Sequence, residues 1–171
     1  MEEQRELRTV LLEALRLKEL KRTGWVRAGV DTPESVAAHS WGVAWLVLVL
    51  SPRHIDLERA LAMAVLHDLA EVRTGDLTPH CGVPPDQKST AERRALQDML
   101  VGLPQASRLH GLWVEYEDRG SIEARFVRAC DKLDMALQAA RYGEQGLDLQ
   151  EFVDSALSEL DDPMMRVLAG G

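Results

Sequence analysis

Cysteine is scarce in this sequence. Cys81 and Cys130 are the only two, far apart and without CxxC spacing, so they spell neither a disulfide framework, nor a thiolate zinc site, nor a redox motif. Positive charge is short as well. Twenty Lys+Arg stand against 28 Asp+Glu, a formal charge of −8, the wrong sign for a surface that tracks nucleic-acid backbone or lies on anionic lipid. Polymeric nucleic acid and membrane are therefore not the expected partners. The longest apolar run, Val43 to Leu50, falls well below the roughly 18 residues of a bilayer span, and Met1-Glu2-Glu3 lacks the cationic start of a signal peptide. A cytoplasmic location is expected. Period-2 alternation, internal repeats and low-complexity tracts are missing too, which excludes a β-rich or solenoid design.

What remains is a globular composition, 46% hydrophobic and 28% charged over 171 residues, read as one domain spanning residues 1–171. At about this length folding buries about 70% of the surface of the extended chain, so the fold needs no structural metal. Any metal would be present for chemistry.

The apolar positions mark an all-α fold of six or seven helices. Leu7, Val10, Leu11, Ala14, Leu15 and Leu20 form an amphipathic stripe ending near Arg22, followed by a loop at Thr23-Gly24-Trp25. Thr32-Pro33 reads as the cap of a helix through His39 to about Leu50, stopped by Ser51-Pro52. Asp56 caps a third, through Ala60, Met63 and Leu66 to about Val72, before the turn Thr74-Gly75-Asp76. Thr78 to Lys88 reads as a long loop, closed by a Ser89-x-x-Glu92 capping box whose helix ends at Gly102. Helices at Gln105 to Glu117, from Ser121 to Gly143, and after an Asp148-x-x-Glu151 box complete the set.

Polar residues interrupt these apolar helices. His67-Asp68 sits between Val65-Leu66 and Leu69-Ala70, His39 follows Val36-Ala37-Ala38, and Asp131 follows Val127 and Cys130. A carboxylate in such surroundings needs a cation. Singly, each residue has a plainer reading, as a hydrogen-bonded core histidine or a salt-bridged aspartate. Together, two imidazoles and two carboxylates make a donor set for one divalent transition metal, manganese, cobalt, iron, nickel or zinc, and not a calcium cage. Glu71, four residues beyond His67, falls on the same helical face.

The order His39, His67-Asp68, Asp131 resembles the HD-domain superfamily of metal-dependent phosphohydrolases. Pro33-Glu34-Ser35-Val36-Ala37-Ala38-His39-Ser40, Leu66-His67-Asp68-Leu69-Ala70-Glu71, Thr74-Gly75-Asp76 and Ala129-Cys130-Asp131-Lys132 look like its 5′-deoxynucleotidase branch. The resemblance covers about residues 17–137. It implies hydrolysis of deoxyribonucleoside 5′-monophosphates to deoxynucleoside and phosphate by a water that the metal activates. It also implies His39, His67, Asp68 and Asp131 as metal ligands, with Glu71 and Asp76 as an acidic pair beside the substrate. Glu71 would either deprotonate the water or protonate the leaving oxygen, and Asp76 would either bind the sugar 3′-hydroxyl or protonate that oxygen. A basic-plus-tryptophan element before the first ligand crowds the sugar 2′ position in this branch. Here Trp25 matches the tryptophan, but Gly24 stands where some members carry arginine, with Arg22 two residues earlier.

His54 and His110 read as surface residues and His80 as a solvated loop histidine, while Trp41, Trp45 and Trp113 read as core or dimer contacts. A homodimer is expected. The same metal centre would also serve another phosphate ester, a nucleoside triphosphate or a cyclic nucleotide, or a non-catalytic nucleotide sensor. Intact Glu71 and Asp76 speak against the sensor.

Overall fold

The computed structural model describes residues 1–171, apart from the side chain of Glu3. Helix α1 (Glu2–Leu15) is shorter than its stripe suggests. A 3-10 turn at Arg16–Lys18 follows, and α2 (Thr23–Arg27) forms where the sequence suggests a loop. Asp76 supplies the reason, because its carboxylate accepts the backbone N–H of Thr23 at 2.6 Å and satisfies a first-turn donor of α2 from 53 positions away. Gly75, at φ 77°, reverses the chain so that Asp76 can reach back.

Helix α3 (Val36–Leu50) starts later than Thr32-Pro33 suggests. Its cap is Ser35, whose Oγ accepts the N–H of Ala38 at 3.2 Å. The segment before it pairs with the chain ahead of α2 through Arg22 N–H to Glu34 O and Val36 N–H to Leu20 O, an isolated bridge that fixes Arg22 beside the start of α3. Helix α4 (Leu57–Leu66), capped by Asp56 as the sequence indicates, ends before His67. Residues 67–70 form a turn and α5 is the short Glu71–Thr74. Bonds of i→i−3 type, Leu69 N–H to Leu66 O and Glu71 N–H to Asp68 O, tighten this passage. With three residues per turn, Glu71 comes into line with Asp68 and not, as α-helical spacing suggests, with His67.

After a 3-10 turn at Pro79–Cys81, α6 (Pro85–Leu100) opens on Pro85. Ser89 and Glu92 therefore lie inside the helix, and Glu92 takes Lys88 as an i,i+4 ion-pair partner at 3.4 Å instead of closing a box. Then come α7 (Ala106–Glu117), α8 (Ile122–Gly143), capped by Ser121, and α9 (Gln150–Glu159). Asp148 accepts the Gln150 N–H, whereas Glu151 pairs with Arg27, so the second expected box is not made either. A last helix, α10 (Pro163–Leu168), carries the cap-and-proline signal Asp162-Pro163 that the sequence reading passed over. The seven helices of ten or more residues are those the apolar periodicity announced, and α2, α5 and α10 are short additions.

The core is the packing of α3, α4 and α8, with α7 and α9 against its flanks. Val43 and Val47, Ala60, Met63 and Ala64, and Val127, Cys130 and Leu133 are fully buried there. On α3 the same buried stripe runs Val36, His39, Val43, Val47, so the histidine points into the bundle because its apolar neighbours do. Among the described residues no helix is long and apolar enough to cross a membrane.

The relocated cap is testable. Ser35→Ala should lower unfolding stability by about 1 kcal/mol, whereas Thr32→Ala should change it by less than about 0.5 kcal/mol. Urea denaturation of the two variants compares them directly; equal losses would return the cap to Thr32.

Candidate active site

Three core elements bring four of the expected residues together. From α3, His39 is 0% exposed and presents Nε2 to His67 Nε2 at 3.3 Å, to Asp131 Oδ1 at 3.2 Å and to Asp68 Oδ2 at 3.6 Å. His67 Nε2 lies 3.2 Å from Asp68 Oδ2. The remaining ring nitrogens are held from behind. His39 Nδ1 meets Asp134 Oδ2 at 2.7 Å, and His67 Nδ1 meets the carbonyl of Ala64 at 2.8 Å. A carbonyl can only accept, so His67 donates from Nδ1 and turns the lone pair of Nε2 toward His39. Trp113 fixes the same turn by donating Nε1–H to the His67 carbonyl at 3.0 Å.

Two imidazole nitrogens at van der Waals distance, flanked by carboxylates, call for a cation between them. His39, His67 and Asp131 form a group able to hold a metal ion. Without one, a proton takes that place. Burial and Arg22 push the His39 imidazolium down, but its bonds to Asp131 and Asp134 prevail and hold its pKa at about 9. Burial alone would likewise raise Asp68 and Asp131. His67, His39 and Arg22 hold Asp68 well below the usual carboxylate range, and Lys132 and His39 do so for Asp131.

Around this cluster a cavity of about 530 Å³ opens, lined by Arg22, Trp25, Asp68, Glu71, Asp76, Lys88, Asp131 and Lys132, and on its far wall by α9. Arg22 contacts Asp68 at 3.6 Å and Asp76 at 3.9 Å, ion-pair distances longer than hydrogen bonds. Glu71 is buried, with Oε2 lacking any partner and Oε1 4.0 Å from Lys88 Nζ. Burial, then Asp68 and Asp76, push its pKa well above the usual carboxylate value. Asp76 spends one oxygen on Thr23 and Arg22. Trp25 is 1% exposed; its Nε1–H goes to Glu34 Oε1 at 2.9 Å and its ring packs on Phe152, with centroids 4.3 Å apart. It forms the wall of the cavity more than its surface.

Several residues at the site escape a reading of the sequence. Asp134 follows Asp131 by three positions, the spacing that puts both on one face of α8, and that signal was available. Lys88 and Arg128 reach the cavity from α6 and α8 only through tertiary packing. Tyr116, its hydroxyl buried without a partner, backs His67 at a ring distance of 5.4 Å. His80 lines the cavity mouth, His54 is exposed, and His110, expected at the surface, is half-buried with an unpartnered Nε2. Trp113 is core, whereas Trp41 and Trp45 are 70% and 53% exposed and stack on each other.

The HD domain family model matches residues 14–166. The chain belongs to the HD domain family. Other members are similar over most of their length. The 5′-deoxynucleotidase HDDC2 of Bos taurus is 37% identical over 162 residues, covering 90% of this chain and 79% of the relative. That of Dictyostelium discoideum is 35% identical over 170 residues, covering 90% of each. The crystal structure of PH0347 protein from Pyrococcus horikoshii OT3 superposes with a TM-score of 0.79 at 34% identity, covering 95% of this chain and 98% of that one.

In metal-free protein the proton on His39 is linked to folding. Its folded pKa of about 9 lies above the ordinary 6.5, so its contribution is complete below pH 6.5 and lost as pH rises through about 9. Stability in chelator should fall over that window by something of the order of 3 kcal/mol. His39→Gln should flatten the dependence. Urea midpoints between pH 6 and 10 that do not fall would contradict the raised pKa.

Proposed function

We propose that this HD domain is a metal-dependent phosphomonoesterase that hydrolyses deoxyribonucleoside 5′-monophosphates to deoxynucleoside and phosphate. The observation that carries the reading is the 3.3 Å approach of His39 Nε2 and His67 Nε2 between carboxylates, beside a cavity that holds Arg22 and the buried Glu71. The similarity to proteins named 5′-deoxynucleotidases supports the choice of substrate. The volume suits a mononucleotide.

The donor chemistry fits a metal: inward-turned imidazole nitrogens backed by hydrogen-bond acceptors, and carboxylates held ionised despite burial. We assign His39, His67, Asp68 and Asp131 as the residues that hold it. Nitrogen and oxygen donors favour manganese, cobalt, iron, nickel or zinc over calcium. Such an ion supplies Lewis-acid charge at a phosphoryl oxygen and makes water nucleophilic near neutral pH.

The chain's own groups do the rest. Arg22, loosely paired, turns its guanidinium to the phosphate oxygens and holds phosphorus at the cluster. As the water oxygen bonds to phosphorus and the bond to the 5′-oxygen breaks, Glu71 gives its proton to that leaving oxygen, and one proton of the attacking water, first carried on the phosphate product, returns to Glu71. Burial first, and then Asp68 in line with it across the tightened turn, favour the protonated form of Glu71 that this step draws on. Asp76 steadies Arg22 with one oxygen, and we assign its other to the sugar 3′-hydroxyl. We assign to Trp25, through the wall it builds with Phe152, the crowding of a sugar 2′-hydroxyl.

Phosphate release from a panel of nucleotides tests the whole reading. Deoxynucleoside monophosphates should be hydrolysed, while triphosphates and cyclic nucleotides should not. A buried, unpaired hydroxyl costs about 1–3 kcal/mol, so kcat/KM for dAMP should exceed that for AMP about ten- to hundredfold. Chelation should abolish turnover and manganese or cobalt restore it, and Glu71→Gln should keep its metal yet lose about a hundredfold or more in kcat. Full activity after chelation would sink the metal, and near-normal kcat in Glu71→Gln would leave Glu71 structural.

We further infer a homodimer formed through the exposed apolar face of α3 and α4, where Trp41, Trp45, Leu48, Val49 and Val65 face outward. Free thiols at Cys81 and Cys130 suit a cytoplasmic setting. Sedimentation should find dimers that Trp41→Glu converts to monomers; a monomeric parent chain would remove this assembly.

A further inference from the structure

Gly42 lies in the middle of α3, one turn after His39, a position where glycine weakens a helix relative to alanine. The reason for a glycine there comes from across the bundle. A Cβ built on Gly42 would stand 2.1 Å from Asp134 Oδ1 and 3.0 Å from its Cγ. The carboxylate of Asp134 thus occupies the space that any other side chain at position 42 would claim, and with its other oxygen it reaches His39 Nδ1 at 2.7 Å. One turn earlier on α8, Asp131 meets Nε2 of the same ring at 3.2 Å. Both nitrogens of one fully buried imidazole are therefore gripped by an i,i+3 pair of aspartates from a single helix. Glu34 also lies close to His39, but its carboxylate is engaged by the indole of Trp25.

We propose that Gly42 and Asp134 are a positioning pair: the bare backbone at Gly42 admits the Asp134 carboxylate, which fixes the His39 ring with Nδ1–H as donor and Nε2 aimed at the cluster, and so sets the affinity of the site for its metal. The inference rests on the reading of His39 as a metal ligand. Neither residue touches substrate, and both act through the imidazole. The atom that a methyl at position 42 would strike is the far end of a flexible, partly exposed side chain, which can swing away without disturbing α3 or α8. Gly42→Ala should therefore spare the fold and cost only the grip on His39.

The test is a double-mutant cycle on the full chain, titrating metal-free protein with cobalt(II) by calorimetry and following urea unfolding in chelator. Gly42→Ala and Asp134→Ala should each weaken cobalt binding about ten- to hundredfold, the usual scale for loss of a group that orients a ligand. The double variant should bind no more weakly than Asp134→Ala, because the carboxylate that the methyl displaces is already gone. The urea midpoint of Gly42→Ala in chelator should fall no further than that of Asp134→Ala, since both lose the same bond to His39; if it does unfold, Asp134→Ala carries the measurement alone. Cobalt affinity in Gly42→Ala or in Asp134→Ala equal to that of the parent chain, or losses that multiply in the double variant, would overturn the pairing. A parent chain that binds no cobalt would instead overturn the metal reading of the cluster, which separates the two failures.

Discussion

Carboxylates set into an apolar bundle must meet cations, and at the junction of α3, α4 and α8 that requirement organises everything nearby. Asp68 and Asp131 are ionised against their burial, and the two imidazoles between them cannot both turn lone pairs inward without something positive to share. In the metal-free chain a proton on His39 fills this need. The surrounding contacts follow from it: Asp134 and the Ala64 carbonyl hold the far side of each ring, Trp113 pins the turn that carries His67, and Lys132 meets the outer oxygen of Asp131 at 3.5 Å.

The turn between α4 and α5 shows how backbone geometry becomes chemistry. A continuous α-helix would stack Glu71 on His67 and leave Asp68 one step around the cylinder. Tightening to i→i−3 bonds places Glu71 by Asp68, whose negative charge adds to burial in pushing the Glu71 pKa up. The acid and two members of the cluster that it serves, His67 and Asp68, thus come from the same five residues, His67 to Glu71. Gly75 then bends the chain so that Asp76 returns to α2 and meets Arg22 next to Asp68.

Much of this was legible in the sequence because burial leaves a periodic trace. His39 falls in step with Val36, Val43 and Val47, and Asp131 interrupts a comparable stripe, so polar residues at core positions announced the cluster before any coordinates did. The long helices were readable for the same reason. Helix ends were not, since a serine or threonine near proline offers several equivalent caps and only tertiary contacts choose among them, as with Ser35 over Thr32 and Pro85 over Ser89. The break at His67 was hidden because the apolar pattern continues through it. Lys88 and Arg128 were hidden because a lone cation on an amphipathic helix looks like any solvated residue until another helix closes over it.

The overall acidity of the chain and the phosphate chemistry proposed for its cavity are reconciled locally. Carboxylates outnumber the lysine and arginine side chains lining the cavity, and Lys88, Arg128 and Lys132 are each tied to a glutamate. Left to itself such a lining repels a dianionic phosphate. A divalent ion on the cluster and a proton on Glu71, as the proposed function requires, would offset most of that excess, and Arg22, held at 3.6 and 3.9 Å from its partners, is the cation least committed elsewhere. On the function proposed, charge at this site would be conditional: phosphate would be attracted chiefly with the ion in place, and metal binding would then favour substrate binding as well as the bond-breaking step.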